Sequence, residues 1–282
     1  MGEEIKMAKR KRKQNRTPPI IADLDIVIPV YGRFDMLERC LASIPEATKS
    51  SYKITIYDDN SPDKEEADAF YKQFVTDRMV KVIRGKKSKG FPGACNTGVS
   101  AGHAPLVFLL NSDVVLSKGS LDIMVEDMKD QSIGVVGMKL LFPDDSIDAI
   151  RPAGKIQHVG LFTNVFGDIV HSFIGWSPDN PRPNAIHEAY AVTGAALLTR
   201  RALWRKVGGL FTGYGRGTYE DVEYCLTIRA LGYKIIVEID AVATHYVGAS
   251  ASQNAPFNLR ANKNIFMSRW ARTLKYTDWE IL

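Results

Sequence analysis

Cysteine is scarce: three in 282 residues, Cys40, Cys95 and Cys225. They lie far apart, form no CxxC pair and are odd in number, which argues against a disulfide framework or a cysteine zinc site and leaves them as packing residues. Long apolar runs are missing too. No stretch approaches the roughly 20 residues that span a bilayer, and the first residues lack the apolar segment of a signal peptide. The expectation is a cytoplasmic protein with no transmembrane segment. No internal repeat occurs, and no second hydrophobic core has its own linker.

What is present is ordinary for a globular protein. Hydrophobic residues make up 45% of the chain and charged residues 24%, enough for a sizeable core in one large α/β domain or two small ones. The net charge of +5 is unevenly placed. Residues 1–16 hold seven of the 37 basic and two of the 32 acidic residues, leaving 30 of each in the remainder. A dense basic block without apolar periodicity is expected to be disordered and attractive to polyanions, whether nucleic acid, anionic lipid or an acidic partner. A solubilising tail is the plainer reading. Residues 1–19 are therefore set apart as an arm, and 20–282 as the folded domain.

Beyond Pro18-Pro19 the pattern alternates. "LDIVIPV" (24–30), "YKITIYD" (52–58), "VKVIR" (80–84) and "LVFLL" (106–110) read as strands. Between them "FDMLERCLASI" and "KEEADAFYKQF" carry helical spacing, and a glycine-rich passage leads into a third helix. Such alternation predicts a mostly parallel sheet with helices on both faces, whose ligands sit beyond the C-terminal strand ends. Tyr31, Asp58-Asp59-Asn60, Arg84 to Gly90 and Asn111-Ser112-Asp113 occupy those positions. Residues 139–187, rich in Pro, Gly and Asp, predict loops and short strands over one end of the sheet. "AALLTRRALWRKVGG" then gives a strand and a short helix, and "EDVEYCLTIRALGYKI" a helix stopped at Gly232 and a further strand.

In order, "DIVIPVYGRFDMLERCLASI", "IYDDNSPD", "KGFPGACNTGVSAG", "FLLNSDVVL", "IQHVG", "AVTGAALLTRRALWRKVGGL", "YEDVEYCLTIRALGYKI" and "THYVGAS" resemble the nucleotide-sugar-dependent glycosyltransferases of family 2. The resemblance covers about residues 24–272. It implies the GT-A fold, a Rossmann-like central sheet with a nucleotide-binding half near 24–115 and an irregular acceptor-side half near 116–282.

Site roles follow from matched positions. The Asp59 carboxylate accepts the N3 hydrogen of a uracil, with Pro29 and Tyr31 walling the base pocket; the competing reading makes "DDNSPD" only a turn. Gly90, with Gly93 and Gly98, lets backbone N–H groups approach a diphosphate, and Asn96 hydrogen-bonds there. No GK[ST] follows those glycines and no GxGxxG is formed, so this is not a Walker loop or a dinucleotide fingerprint. Asn111, Ser112 and Asp113 stand where such enzymes present a DxD motif for Mn2+ or Mg2+, leaving one carboxylate. His245 is the candidate to complete the coordination. Asp221 of the ED pair is the general base, and Glu220 positions sugar or acceptor. The plain alternative is a capping box from Thr218 to Asp221 with acids at a helix start. Gly194, His171 and Trp176 fall on the sugar and acceptor side.

The implied activity is metal-dependent, inverting sugar transfer from a nucleoside diphosphate donor, taken as a UDP-sugar, to a hydroxyl of a glycan or lipid-linked glycan. The basic arm keeps a second acceptor open, a hydroxylated base in DNA or RNA, and peripheral association with membrane or nucleic acid. A third reading, of another class, is a catalytically inactive nucleotide-sugar-binding scaffold. It conflicts with the retention of Asp59, Asp113, Glu220 and Asp221. A nucleotidyltransferase would carry a basic glycine-rich signature after the first strand, which "PVYGRFDML" lacks.

Overall fold

The computed structural model describes residues 22–164, 168–185, 187–247 and 258–274. The basic arm and the end of "THYVGAS" lie outside them. The first strand explains the layering. In β1 (Leu24–Val30), Leu24, Ile26, Ile28 and Val30 join one apolar cluster and Val27 the opposite one, because strand side chains alternate between faces. Both faces are covered, so the strand is apolar almost throughout. One cluster takes in α1 (Phe34–Ala47), α2 (Lys64–Tyr71) and α4 (Ser120–Asp127). The other takes in α3 (Gly90–Ser100), α5 (Arg201–Val207), α6 (Glu220–Ala230) and α7 (Leu259–Trp270).

The sheet also contains β2 (Tyr52–Asp58), β3 (Val80–Arg84), β4 (Leu106–Leu110), β5 (Val114–Leu116), β6 (Ile133–Leu141), β7 (Ile156–His158), β10 (Ala196–Arg200) and β11 (Lys234–His245). Its order is β3-β2-β1-β4-β10-β6-β11-β5, with β7 beside β6, while β8 (Leu161–Thr163) and β9 (Ile169–His171) form a separate hairpin. β3, β2, β1 and β4 are parallel, as the alternation predicts. β10 then enters antiparallel to both β4 and β6. The sheet is therefore mixed in its second half.

Register decides what meets at the ligand edge. Val30 lies opposite Asp58, so Tyr31 and Asp59 leave the sheet together. β10 runs backwards, with Ala196 opposite Leu110, which brings residues 193–195 alongside Asn111; the Asn111 N–H donates to the Ala195 carbonyl at 2.8 Å. β5 pairs with the end of β11 through Val114 and His245. That single pairing sets His245 beside Asp113, residues 132 apart in sequence. No helix among the described residues is long and apolar enough to cross a membrane.

Candidate active site

A cleft of about 560 Å³ opens at this edge, within the range of small-molecule sites. Pro29, Tyr31, Asp59 and Gly90 line one wall. Asp59 is not the turn former of its segment. Asp58 accepts from the Ser61 N–H at 2.7 Å, and Asp63 caps α2 by accepting from Glu66 N–H at 2.8 Å. The buried Asp59 carboxylate instead receives the Ser88 hydroxyl at 2.6 Å and the Lys89 and Gly90 N–H groups at 2.6 and 3.0 Å. Three donors leave one of about four lone-pair positions on the carboxylate. The Arg216 guanidinium lies 6.0 Å from the centre of the Tyr31 ring.

Asn111, Ser112, Asp113 and His245 line the floor. His245 Nδ1 is 3.1 Å from Gln157 Oε1; the amide oxygen only accepts, so Nδ1 carries a proton and Nε2 is the ring nitrogen turned to Asp113. That Nε2 faces Asp113 Oδ1 at 3.3 Å. Asp113 Oδ1 and Asn111 Oδ1 are buried and accept no protein hydrogen bond. A carboxylate oxygen facing an imidazole nitrogen, with a further unsatisfied oxygen on Asn111, fits a hard divalent cation. Among the described residues no group of three His, Cys, Asp or Glu side chains gathers anywhere, so the protein offers such an ion two of these ligands.

Glu220 and Asp221 line the same cleft, and here the capping box fails. α6 is capped by Tyr219 in the left-handed region (φ 70°) with no side-chain cap bond, and Thr218 before it has φ 84°. Left-handed conformations of non-glycine residues cost about 1–3 kcal/mol each and cluster at functional sites. The turn aims both carboxyls into the cleft. Asp221 accepts from Gly194 N–H at 2.9 Å, from Val222 N–H at 2.8 Å and from the Thr193 hydroxyl. Burial still pushes its carboxyl above the ordinary range, against those donors. Glu220 Oε2 is buried without a partner. Burial, then the Asp221 charge, push Glu220 up to about 8.

Three expected site residues do not join the cleft. Asn96 spends its amide on Leu210, donating to the carbonyl at 2.8 Å and accepting from the N–H at 2.9 Å; it ties α3 to the turn after α5. His171 pairs with His158 through their Nδ1 atoms at 2.9 Å, and burial, then His245, lower it to about 4. Trp176 packs edge-on against Phe173 at 5.0 Å, with the Arg182 guanidinium 5.6 Å from its ring. The cleft is lined instead by Phe91, Arg151, Thr193, Arg216 and Val247, besides the expected Gly194. Thr193 and Phe91 sat inside quoted motifs, so their neighbours were the available signal. Nothing local marks Arg151 or Arg216, which loops deliver.

The model of glycosyl transferase family 2 matches residues 25–206. The O-antigen biosynthesis protein RfbC of Myxococcus xanthus is 26% identical over 240 residues, 82% of this chain and 18% of that protein. A mannosyltransferase, PcManGT of Pyrobaculum calidifontis, in complex with GDP-Man and Mn2+, superposes with TM-score 0.61 at 15% identity, covering 93% of this chain and 70% of that one. GalNAc-T7 with UDP, GalNAc and Mn2+ superposes with TM-score 0.67 at 16% identity, covering 89% and 50%. These likenesses show the GT-A fold. The chain spans 18% to 43% of the lengths of the first curated relatives it matches. It belongs to glycosyltransferase family 2, and the domain is that of a transferase enzyme.

Proposed function

We propose that this family 2 glycosyltransferase moves a sugar from a UDP-sugar to a hydroxyl of a glycan or lipid-linked glycan in one displacement, with inversion at the anomeric carbon. The observation that carries the reading is that one cleft is lined by both the Asp113–His245 pair and the Glu220–Asp221 pair. Donor and acceptor chemistry need two such pairs.

On the donor wall Tyr31 and Pro29 bracket a base, and the remaining Asp59 position accepts an imide N–H. Nucleotides of both uracil and guanine occur in the structural relatives, so the preference for UDP rests on that carboxylate, which suits the uracil N3 hydrogen. Asp113 and His245 would hold Mn2+ or Mg2+, and the bound ion would supply charge neutralisation for the departing diphosphate. On the other wall Asp221 takes the acceptor proton as the acceptor oxygen bonds to the anomeric carbon. The bond from that carbon to the phosphate oxygen breaks, and its electron pair leaves with the diphosphate. Gly194 N–H and the Thr193 hydroxyl hold Asp221 in place for this. Glu220, protonated near neutrality, donates a hydrogen bond to a sugar or acceptor hydroxyl. Likeness to an O-antigen biosynthesis protein supports a glycan acceptor.

The test is Asp221→Asn. It keeps the side-chain shape and should leave UDP and Mn2+ binding intact while lowering turnover by about 10²- to 10⁴-fold. Turnover within a few-fold of the native enzyme removes Asp221 from the role.

A further inference from the structure

We propose that Asn262, on the C-terminal helix α7, is a positioning residue that holds the turn before α6 in the left-handed conformation presenting Glu220 and Asp221. The inference rests on that carboxyl pair being the reacting pair. It adds a device lying outside the residues that match the family model, which end at 206.

Asn262 is buried, at 5% exposure, and its amide nitrogen faces three acceptors of one loop. These are the Tyr214 carbonyl at 3.0 Å, the Gly217 carbonyl at 2.7 Å and Thr218 Oγ1 at 2.9 Å. A side-chain amide that converges on two main-chain carbonyls and a hydroxyl fixes the path of the chain between them. The next two backbone steps are the unfavourable ones, Thr218 at φ 84° and Tyr219 at φ 70°. Thr218 is β-branched, the residue type least suited to that region. Helix α6 starts immediately after, without a side-chain cap. The direction of Glu220 and Asp221 thus depends on a conformation that its own residues disfavour and that a distant asparagine bridges.

The rest of α7 supports the same loop. Phe266, fully buried, stacks on Tyr219 at 4.8 Å. Arg269 Nη2 pairs with Glu223 of α6 at 2.6 Å, and the Tyr214 hydroxyl donates to the same carboxylate. On the opposite side the loop is pressed to the start of α3, where Phe91 N–H donates to the Arg216 carbonyl at 3.0 Å. The loop is therefore held between α3 and α7, and Asn262 is the α7 residue that bonds its main chain.

The experiment is a double-mutant cycle on the full chain with Asn262→Ala and Thr218→Gly, since glycine takes a positive φ without strain. Asn262→Ala alone should lower kcat about 10- to 100-fold, the scale of a misplaced catalytic group, with the donor KM and the thermal stabilisation by UDP and Mn2+ preserved. In the Thr218→Gly background the same change should cost less than about threefold, because the turn no longer needs the clamp. Asn262→Asp, of equal size but with the donors removed, should reproduce the kcat loss. If a single variant unfolds, the comparison is read in the glycine background, where folding and activity should both be retained. Unchanged kcat, a loss confined to KM, or an equal cost in both backgrounds overturns the proposal. If Asp221→Asn proves active while Asn262→Ala is slow and rescued, the clamp stands and the assignment of the base fails instead.

Discussion

Glu220 and Asp221 are adjacent, yet they meet different surroundings. Asp221 has Gly194, Val222 and Thr193 donating to it, whereas Glu220 Oε2 has nothing. A buried carboxylate without donors costs more than its protonated form, so Glu220 keeps its proton. Its carboxyl, at about 8 against an ordinary 4.5, binds a proton more tightly folded than unfolded. The stability this contributes is fully present below the ordinary value and is lost as pH rises through about 8. Glu220→Gln removes the titration while keeping the shape. Its melting temperature should exceed that of the native protein at pH 9, and the difference should shrink towards pH 5. Parallel curves across that range would mean Glu220 does not carry the effect.

Residue identity was legible where a motif fixes a backbone position, and illegible where a side chain chooses between partners. Asp59, Asp113, His245, Glu220 and Asp221 all line the cleft, because strand ends and a helix start put them there. Asn96 sits in the expected helix, but a complementary peptide group at Leu210 claims its amide. His171 and Trp176 lie in the stretch read as acceptor-facing; His158 and Phe173 hold them elsewhere. Such choices are made by residues distant in sequence.

At the scale of elements, the start of α3 shows why its glycine matters. The helix begins at Gly90 with φ 70°, and a Cβ there would lie 2.1 Å from the Gly215 carbonyl oxygen and 2.7 Å from Arg216 Cα. Both neighbours are backbone and cannot swing aside. The same residue gives its N–H to Asp59, and Phe91 ties to Arg216. Gly90→Ala should therefore separate the donor wall from the turn before α6 and weaken UDP binding at least about tenfold, a cost of about 1.4 kcal/mol that strain alone reaches. Gly119→Ala is the control. It has a similar φ of 72° but open space around it, so it should lose only the increment due to its φ while binding UDP normally. Equal binding by the two variants would show that the close approach is unimportant. Element types were readable from periodicity, including the strands at 24–30, 52–58, 80–84 and 106–110. The antiparallel entry of β10 and the β5–β11 pairing were not, since both join segments far apart in sequence. The capping box was a reasonable local expectation for Thr218 to Asp221 that contacts from another element override.

For the whole molecule, continuity of the sheet is the deciding feature. The path from β3 to β5 runs through β4 and β10 without a break, and two apolar clusters cover it on either face. Nothing along that path offers a boundary where one half unfolds alone, so heat should melt the folded domain in one transition. The cleft is lined from both halves, by Tyr31 and Asp59 as well as His245 and Glu220; a donor bound there stabilises the entire unit. UDP with Mn2+ at 100 times its Kd adds about 2.7 kcal/mol. For a chain of this size that corresponds to a rise of about 5 °C. If Asp113 and His245 hold the proposed ion, the rise should need the metal and disappear with excess chelator. Two calorimetric peaks, with UDP moving only one, would divide the molecule at the β4–β10 junction. A full shift in chelator would mean that the diphosphate is held by the protein's own cations, Arg151 and Arg216 being those that line the cleft.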